Sequence, residues 1–394
     1  MKKLVLAYSG GLDTSYCAMY LSKEEKFEVH AVSVNTGGFS KREMDTIREK
    51  ALLLGAASYT SLDAVSTFYD KVVKYLIFGN VLKNNTYPLS VSAERIIQAL
   101  EIVAYAKKIG AAYIAHGSTG AGNDQVRFDM IFQILAPEIQ IITPIRDFKL
   151  SRQTEIDYLQ SNGVDYSWEK AKYSINRGLW GTSVGGQETL KSKDPLPDEA
   201  YPSQLKATEP RKTTLTFEKG ELVALDGKRD LPVKNIEKLT EMASDYAIGR
   251  DIHVGDTIIG IKGRVGFEAP APLIIIKAHH LLEKHTLTKW QQFQKENLGN
   301  WYGMMLHEGN YLDEVMRNIE VFLKDTQRYV TGDVFVTLYP YRFTVNGIES
   351  AHDLMNSSFA SYGESNEGWT ADDAKGFIKI SANQGKIFNN VNKQ

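Results

Sequence analysis

Up to about residue 165, short apolar runs alternate with longer segments of helical spacing, and glycines punctuate the switches between them. Lys3–Tyr8 reads as a strand that runs into Ser9-Gly10-Gly11, and Asp13-Thr14-Ser15 then caps a helix over Tyr16–Lys23. Phe27–Asn35 is a second strand, and Lys41–Leu54 a helix with Met44, Ile47, Ala51 and Leu54 on one face. Ala57–Leu62 is a weaker strand, Val65–Leu82 and Ala93–Ile109 are helices, and Ala112–Ala115 is a strand that meets a second glycine-rich turn, His116–Asn123. Ile139–Thr143 adds one more apolar run. Strands that alternate with helices argue for an α/β fold, a doubly wound, mostly parallel sheet covered on both faces. Such sheets bind ligands beyond the C-terminal ends of their strands.

Past residue 165 the rhythm changes. Lys191–Thr213 carries Pro195, Pro197, Pro202 and Pro210 among charged residues, which predicts a long surface loop. Thr214–Phe217 and Glu221–Leu225 form a hairpin, Val233–Ile248 a helix, and Thr257–Phe267 one alternating strand. Lys277–Asn297 and Tyr311–Val330 read as long helices, and Val334–Tyr339 with Tyr341–Val345 as a hairpin about Pro340. The second half is therefore α+β. The polar segment Ala371–Asn392 is too poor in apolar residues to fold alone. The expected division is a nucleotide-binding domain over 1–166, an α+β domain over 167–360 and a C-terminal oligomerisation segment over 361–394.

Charge and composition narrow the functional classes. With 46 basic and 48 acidic residues the chain carries a formal charge of −2, so no general attraction to nucleic acid or anionic lipid is expected. A single cysteine, Cys17, forms neither an intramolecular disulfide nor a thiolate zinc cage and suits a reducing compartment. The first apolar run breaks at Ser9, and the strongest later one, Leu273–Ile276, stops at Lys277, so neither a signal nor a membrane span is expected. These observations predict a cytoplasmic protein with small substrates and neither nucleic-acid nor membrane partners.

The chemistry concentrates in the two glycine turns. No Gly-Lys-Ser/Thr stands at Walker A spacing, and the Rossmann glycine pattern is absent. Ser9-Gly10-Gly11-Leu12-Asp13-Thr14-Ser15 instead follows a strand and opens a helix, so backbone N–H groups, the helix N-terminus and three hydroxyls can face an anion. Asp13 would be repulsive beside phosphates unless a magnesium ion lay between them or the carboxylate only capped the helix. His279, His280 and His285 lack a nearby carboxylate cluster and read as ordinary helix-side histidines; His116 reads as a loop-fixing hydrogen-bond partner, and Cys17 as core.

AYSGGLDTS, Ala7–Ser15, resembles the pyrophosphate loop of the N-type ATP pyrophosphatases and, in this wording, the argininosuccinate synthase family. HGSTGAGNDQVRF, His116–Phe128, is similar to that family's second signature; Tyr87-Pro88-Leu89, Arg95, Ser174, Ser183 and Gly376-Phe377-Ile378 also fit. The resemblance implies a nucleotide α-hydrolase-like fold, a homotetramer with an exchanged C-terminal segment, and ATP with Mg²⁺ as co-substrate. It assigns Ala7, Tyr8, Ser9, Gly10, Gly11, Leu12, Asp13, Thr14, Ser15, Val34, Arg95 and Gly117 to ATP, with Asp13 as the metal candidate. Citrulline falls to Tyr87, Ser92, Asn123, Arg127, Ser174 and Ser183, with Asp256 and Phe267 at its amino end, and aspartate to Thr119, Asn123 and Asp124. These types suit the work: Arg127 offers a planar fork, Asn123 donates and accepts, and Asp124 can pair with an ammonium. The implied reaction adenylates citrulline and then displaces AMP with the aspartate amine, with no side chain assigned as obligatory acid or base.

Four positions depart from the family's usual pattern. Val91 stands for a threonine, Ala121 for a lysine, Gly255 for a glutamate and Phe267 for a tyrosine. Local repacking is the first explanation; a pocket for an N-acylated citrulline, or an ATP-binding sensor without turnover, are the alternatives. A transfer-RNA thiolase would need paired cysteines and basic electrostatics that this chain lacks.

Overall fold

The computed structural model describes residues 2–164, 173–357 and 368–393. Both expected domain boundaries, 166/167 and 360/361, lie outside the described residues.

The first half is a five-stranded parallel sheet in the order β3-β2-β1-β4-β5, made of β1 (Lys3–Ala7), β2 (Glu28–Asn35), β3 (Ser58–Asp63), β4 (Tyr113–His116) and β5 (Gln140–Ile142). Chain order reverses between β1 and β4, where crevices open above such sheets. The helices here are α1 (Leu12–Lys23), α2 (Lys41–Leu53), α3 (Val65–Phe68), α4 (Lys74–Phe78), α5 (Ser90–Ile109), α6 (Asp124–Leu135), α7 (Pro144–Asp147) and α8 (Arg152–Ser161). Ser40 forms a capping box with Glu43 at the start of α2. The single helix expected over 65–82 is interrupted by a π turn at Tyr69–Val73 and stops at Gly79, because Asn80 takes a left-handed backbone. Leu4 and Leu6 point to one core, with Cys17 and Leu21, while Val5 points to the other, with Ile96 and Ile114.

Beyond residue 173 there are two antiparallel sheets. One runs β11-β12-β7-β6, from β6 (Ser174–Gly178), β7 (Gly181–Gly185), β11 (Arg250–Asp256) and β12 (Lys262–Glu268). The other runs β10-β9-β8-β13-β14, from β8 (Arg211–Glu218), β9 (Glu221–Leu225), β10 (Lys228–Arg229), β13 (Gly332–Tyr339) and β14 (Arg342–Glu349). The strand expected over 257–267 is corrected to a hairpin: Thr257 bonds Ile261 across a turn with Gly260 at φ +80°, and Arg250–Asp256 is its first arm. α9 spans Pro232–Ser244, and the helix expected over 277–297 is two, α10 (Pro270–Thr286) and α11 (Lys289–His307), split by a capping box at Thr288. α12 (Glu314–Thr326) follows. The C-terminal segment forms α13 (Ala371–Ser381) and α14 (Asn383–Val391), neither of which buries a residue.

Glycines bring β6 close to the β2–α2 loop and to α5. A Cβ at Gly38 would lie 2.0 Å from the Arg177 carbonyl oxygen, and one at Gly178 would lie 2.2 Å from a Glu94 carboxylate oxygen. The two halves thus close around one cleft of about 960 Å³.

Candidate functional site

The floor of the cleft is the β1–α1 turn. Gly10 takes φ +77°, and Lys50 of α2 donates to its carbonyl at 2.7 Å. Burial pushes the Lys50 ammonium down to about 8. The helix begins at Leu12 with Gly11 as N-cap and no side-chain cap. The expected cap at Asp13-Thr14-Ser15 is therefore corrected: Asp13 is already helical, and no side chain caps the first turn, which borders the cleft. Ser9 and Thr14 join their hydroxyls at 3.2 Å, and both face the cleft. Gly10 and Ser15 do not line it; Ser15 is fully buried and its hydroxyl has no partner.

The second turn leaves β4 beside the first. A Cβ on Gly117 would stand 3.1 Å from the Asp13 carbonyl carbon and the Thr14 nitrogen, so only glycine lets the loops touch without displacement. His116 fixes this turn. Its Nδ1 accepts from the Ser118 N–H at 3.2 Å, which leaves Nε2 to donate to Asp129 at 2.8 Å, and Arg146 closes on Asp129 at 2.7 Å.

A charged lattice crosses from α5 and α6 to the second half. Asp124 receives Arg95 Nε at 2.9 Å on one oxygen and Arg127 Nη1 at 2.8 Å on the other. Arg95 also donates to Glu94 and to Asn176 of β6. The Glu94 carboxyl, bonded by Thr36, is pushed up to about 7, since burial outweighs its Arg95 partner. Arg127 is turned into the protein: Nε donates to the His307 carbonyl at 2.9 Å, and Nη2 reaches Ser92 Oγ and His307 Nδ1. Burial and the Arg127 cation push the His307 imidazole down to about 3. Asn123 spends its side-chain oxygen on the Ile258 N–H at 2.9 Å, which docks the β11–β12 hairpin and leaves its amide as donor.

Of the residues singled out in the sequence, Ala7, Tyr8, Ser9, Gly11, Leu12, Asp13, Thr14, Val34, Arg95, Gly117, Thr119, Asn123, Asp124, Arg127, Tyr87, Ser92, Ser174, Ser183 and Asp256 all line this cleft. Phe267 does not: it is wholly buried behind the wall, 5.4 Å from the Tyr87 ring and paired with Ser183 across β12 and β7. Asp256 is tied to Lys262 at 2.6 Å. Sequence reasoning missed His253, His307, Glu94, Arg152 and Arg177, all on the cleft, and Glu155, whose carboxyl burial and the Asp13 charge push up to about 8. No motif covers them: Glu94 stands beside Arg95 on α5 and Arg177 shares β6 with Ser174, while His253, His307, Arg152 and Glu155 come from elements outside the two loops. His279, by contrast, is buried between Asn80 and Gln327.

Comparison with known proteins agrees with this architecture. Residues 3–165 match the arginosuccinate synthase N-terminal HUP domain, and residues 173–388 match the arginosuccinate synthase C-terminal domain. The chain is 36% identical to an argininosuccinate synthase of Xanthomonas campestris, over 100% of this chain and 99% of that protein. It is 35% identical to those of Dictyoglomus thermophilum, over 98% and 97%, and of Methanocaldococcus jannaschii, over 91% of each chain. These matches do not favour an acylated substrate or a silent sensor. Matched in both halves and over nearly its full length, the chain belongs to the argininosuccinate synthase family.

Proposed function

We propose that this chain condenses citrulline with aspartate at the expense of ATP, giving argininosuccinate, AMP and pyrophosphate as a step of arginine biosynthesis. The observation that carries the reading is the convergence of two glycine loops, from adjacent strands, on one cleft that also holds the β6–β7 serines. ATP lies with its β- and γ-phosphates over Ser9–Ser15 and its nucleoside beside Val34 and Gly117. Citrulline runs along Tyr87, Ser92, Ser174 and Ser183, and aspartate sits by Thr119, Asn123 and Asp124.

In the first step the ureido oxygen attacks the α-phosphorus, an O–P bond forms, and the bond to the β-phosphate bridge oxygen breaks, releasing pyrophosphate. In the second, the aspartate amine attacks the activated ureido carbon, the C–O bond to AMP breaks, and the nitrogen loses a proton. The residues act by positioning: Asn123 donates through its amide, Arg95 and Arg127 hold Asp124 in place, and the open α1 N–H groups take up pyrophosphate charge. Asp13, the cleft carboxylate on the phosphate loop, would hold Mg²⁺, and the ion when bound would neutralise phosphate charge. Among the described residues, five arginines line the cleft against four carboxylates, which suits a polyanionic substrate.

We assign the same chain to the cytoplasm and to a homotetramer. Phe377, Ile378, Ile380, Ile387, Phe388 and Val391 are exposed on α13 and α14, a surface suited to a second copy. The domain division at 166/167 and 360/361 stands as part of this reading. The test is release of AMP and pyrophosphate from ATP, Mg²⁺ and aspartate, with the condensed product identified by mass. Release that requires citrulline supports the assignment, and ATP binding without release in its presence overturns it.

A further inference from the structure

The peptide that joins Gly10 to Gly11 has a glycine on either side, so no Cβ resists turning its plane over. The two orientations are opposite in chemistry. In a trans peptide the carbonyl and the following N–H point to opposite sides, so whichever side the Gly10 oxygen faces, the Gly11 N–H faces the other. With the N–H toward the cleft the loop offers a donor to phosphate oxygens; with the carbonyl there it presents lone pairs and repels them.

The first orientation is selected from outside the loop. Gly11 lines the cleft, and its N–H is directed at the hydroxyl of Ser9, 3.4 Å away, which lines the cleft too; Gly10 does not. The Gly10 carbonyl points instead to α2, where Lys50 Nζ donates to it at 2.7 Å. Ile47, one turn earlier on the same face of α2, closes on the glycine itself: a Cβ at Gly10 would lie 3.0 Å from Ile47 Cγ1. α2 is anchored beside this contact, since Ala51 and Leu54 are buried in one core with Leu4 and Leu6. The half-buried ammonium meets the carbonyl where water screens it little, which strengthens the bond. Neither Lys50 nor Ile47 lines the cleft, so both act through the loop.

We propose that Lys50 is a positioning residue for the phosphate loop: its bond to the Gly10 carbonyl holds the Gly10-Gly11 peptide with the N–H toward the β- and γ-phosphates of ATP. This rests on the reading that those phosphates lie over Ser9–Ser15, and it names what orients the loop for them. The lysine acts through one backbone plane and does not touch the substrate.

The experiment measures equilibrium binding of two probes, inorganic pyrophosphate with Mg²⁺ and AMP, by calorimetry for the wild type, Lys50→Met and Lys50→Arg, beside a melting curve of each. Methionine keeps the apolar stem without a donor, and arginine restores a charged donor. Lys50→Met is expected to weaken pyrophosphate about tenfold and AMP less than about twofold, since AMP leaves the β- and γ-phosphate positions empty. Lys50→Arg is expected to bring pyrophosphate back to within about threefold of the wild type. Unchanged pyrophosphate binding in Lys50→Met overturns the proposal, as does an equal loss for both probes, which a general loosening of the fold would give. A wild type that binds AMP but not pyrophosphate removes the placement of the phosphates and the proposal with it, whereas the other two results leave that placement standing.

Discussion

Arg127 holds His307 at two points, its Nε on the carbonyl at 2.9 Å and its Nη2 on the ring Nδ1 at 3.2 Å. The pair ties the first turn of α6, next to the second glycine loop, to the last turn of α11 from the other half of the chain. A lysine has one compact charge and cannot reach Asp124, Ser92 and His307 together. Arg127→Lys should lower kcat/KM on the order of 100-fold, as charge-assisted bonds worth about 1.5–3 kcal/mol each are lost or bent. Steady-state kinetics beside a melting curve checks this; kinetics near wild type would show that the fork does not organise the site.

The contact between the two loops can be tested at Gly117. Alanine there would press its methyl group to 3.1 Å from the backbone of Asp13 and Thr14. The loops must part by a few tenths of an ångström, and the KM for ATP should rise about tenfold. Citrulline saturation should change less, which a matched pair of titrations would reveal.

Glu94 gives a pH dependence with a defined sign. Its carboxyl keeps the proton up to about 7 when folded, against 4.5 for an ordinary glutamate. The folded state binds more protons in that window, so the stabilising contribution is complete below pH 4.5 and is lost as pH rises through 7. Glu94→Gln abolishes this loss. The difference in unfolding free energy, wild type minus variant, should fall on the order of 3 kcal/mol across the window, as read by urea denaturation. A flat difference would mean the carboxylate is ionised throughout.

Removal of the chain after Ser361 should leave the core intact, because α13 and α14 bury none of their own residues within the protomer. The mass in solution should drop by more than the deleted segment, as light scattering would measure. An unchanged number of copies would locate the assembly surface elsewhere, for which exposed Trp290, Phe293 and Trp301 on α11 are placed.

Local chemistry made much of this protein legible in the sequence. The alternation of apolar runs, glycines and helical spacing determined the parallel sheet and both glycine loops, because each signal lies within a few residues of the feature it produces. The family resemblance placed nearly every candidate residue on the cleft, though other residues also line it. Only the tertiary structure decided the rest. Asp13 is inside its helix rather than at its cap, Thr257–Phe267 contains a turn, and Phe267 stands behind the wall. His253 and His307 join the cleft across gaps of more than 150 residues from Tyr87 and Arg127. Such pairings depend on how packed elements meet, through close approaches at Gly38, Gly178 and Gly255 that leave no periodic trace along the chain.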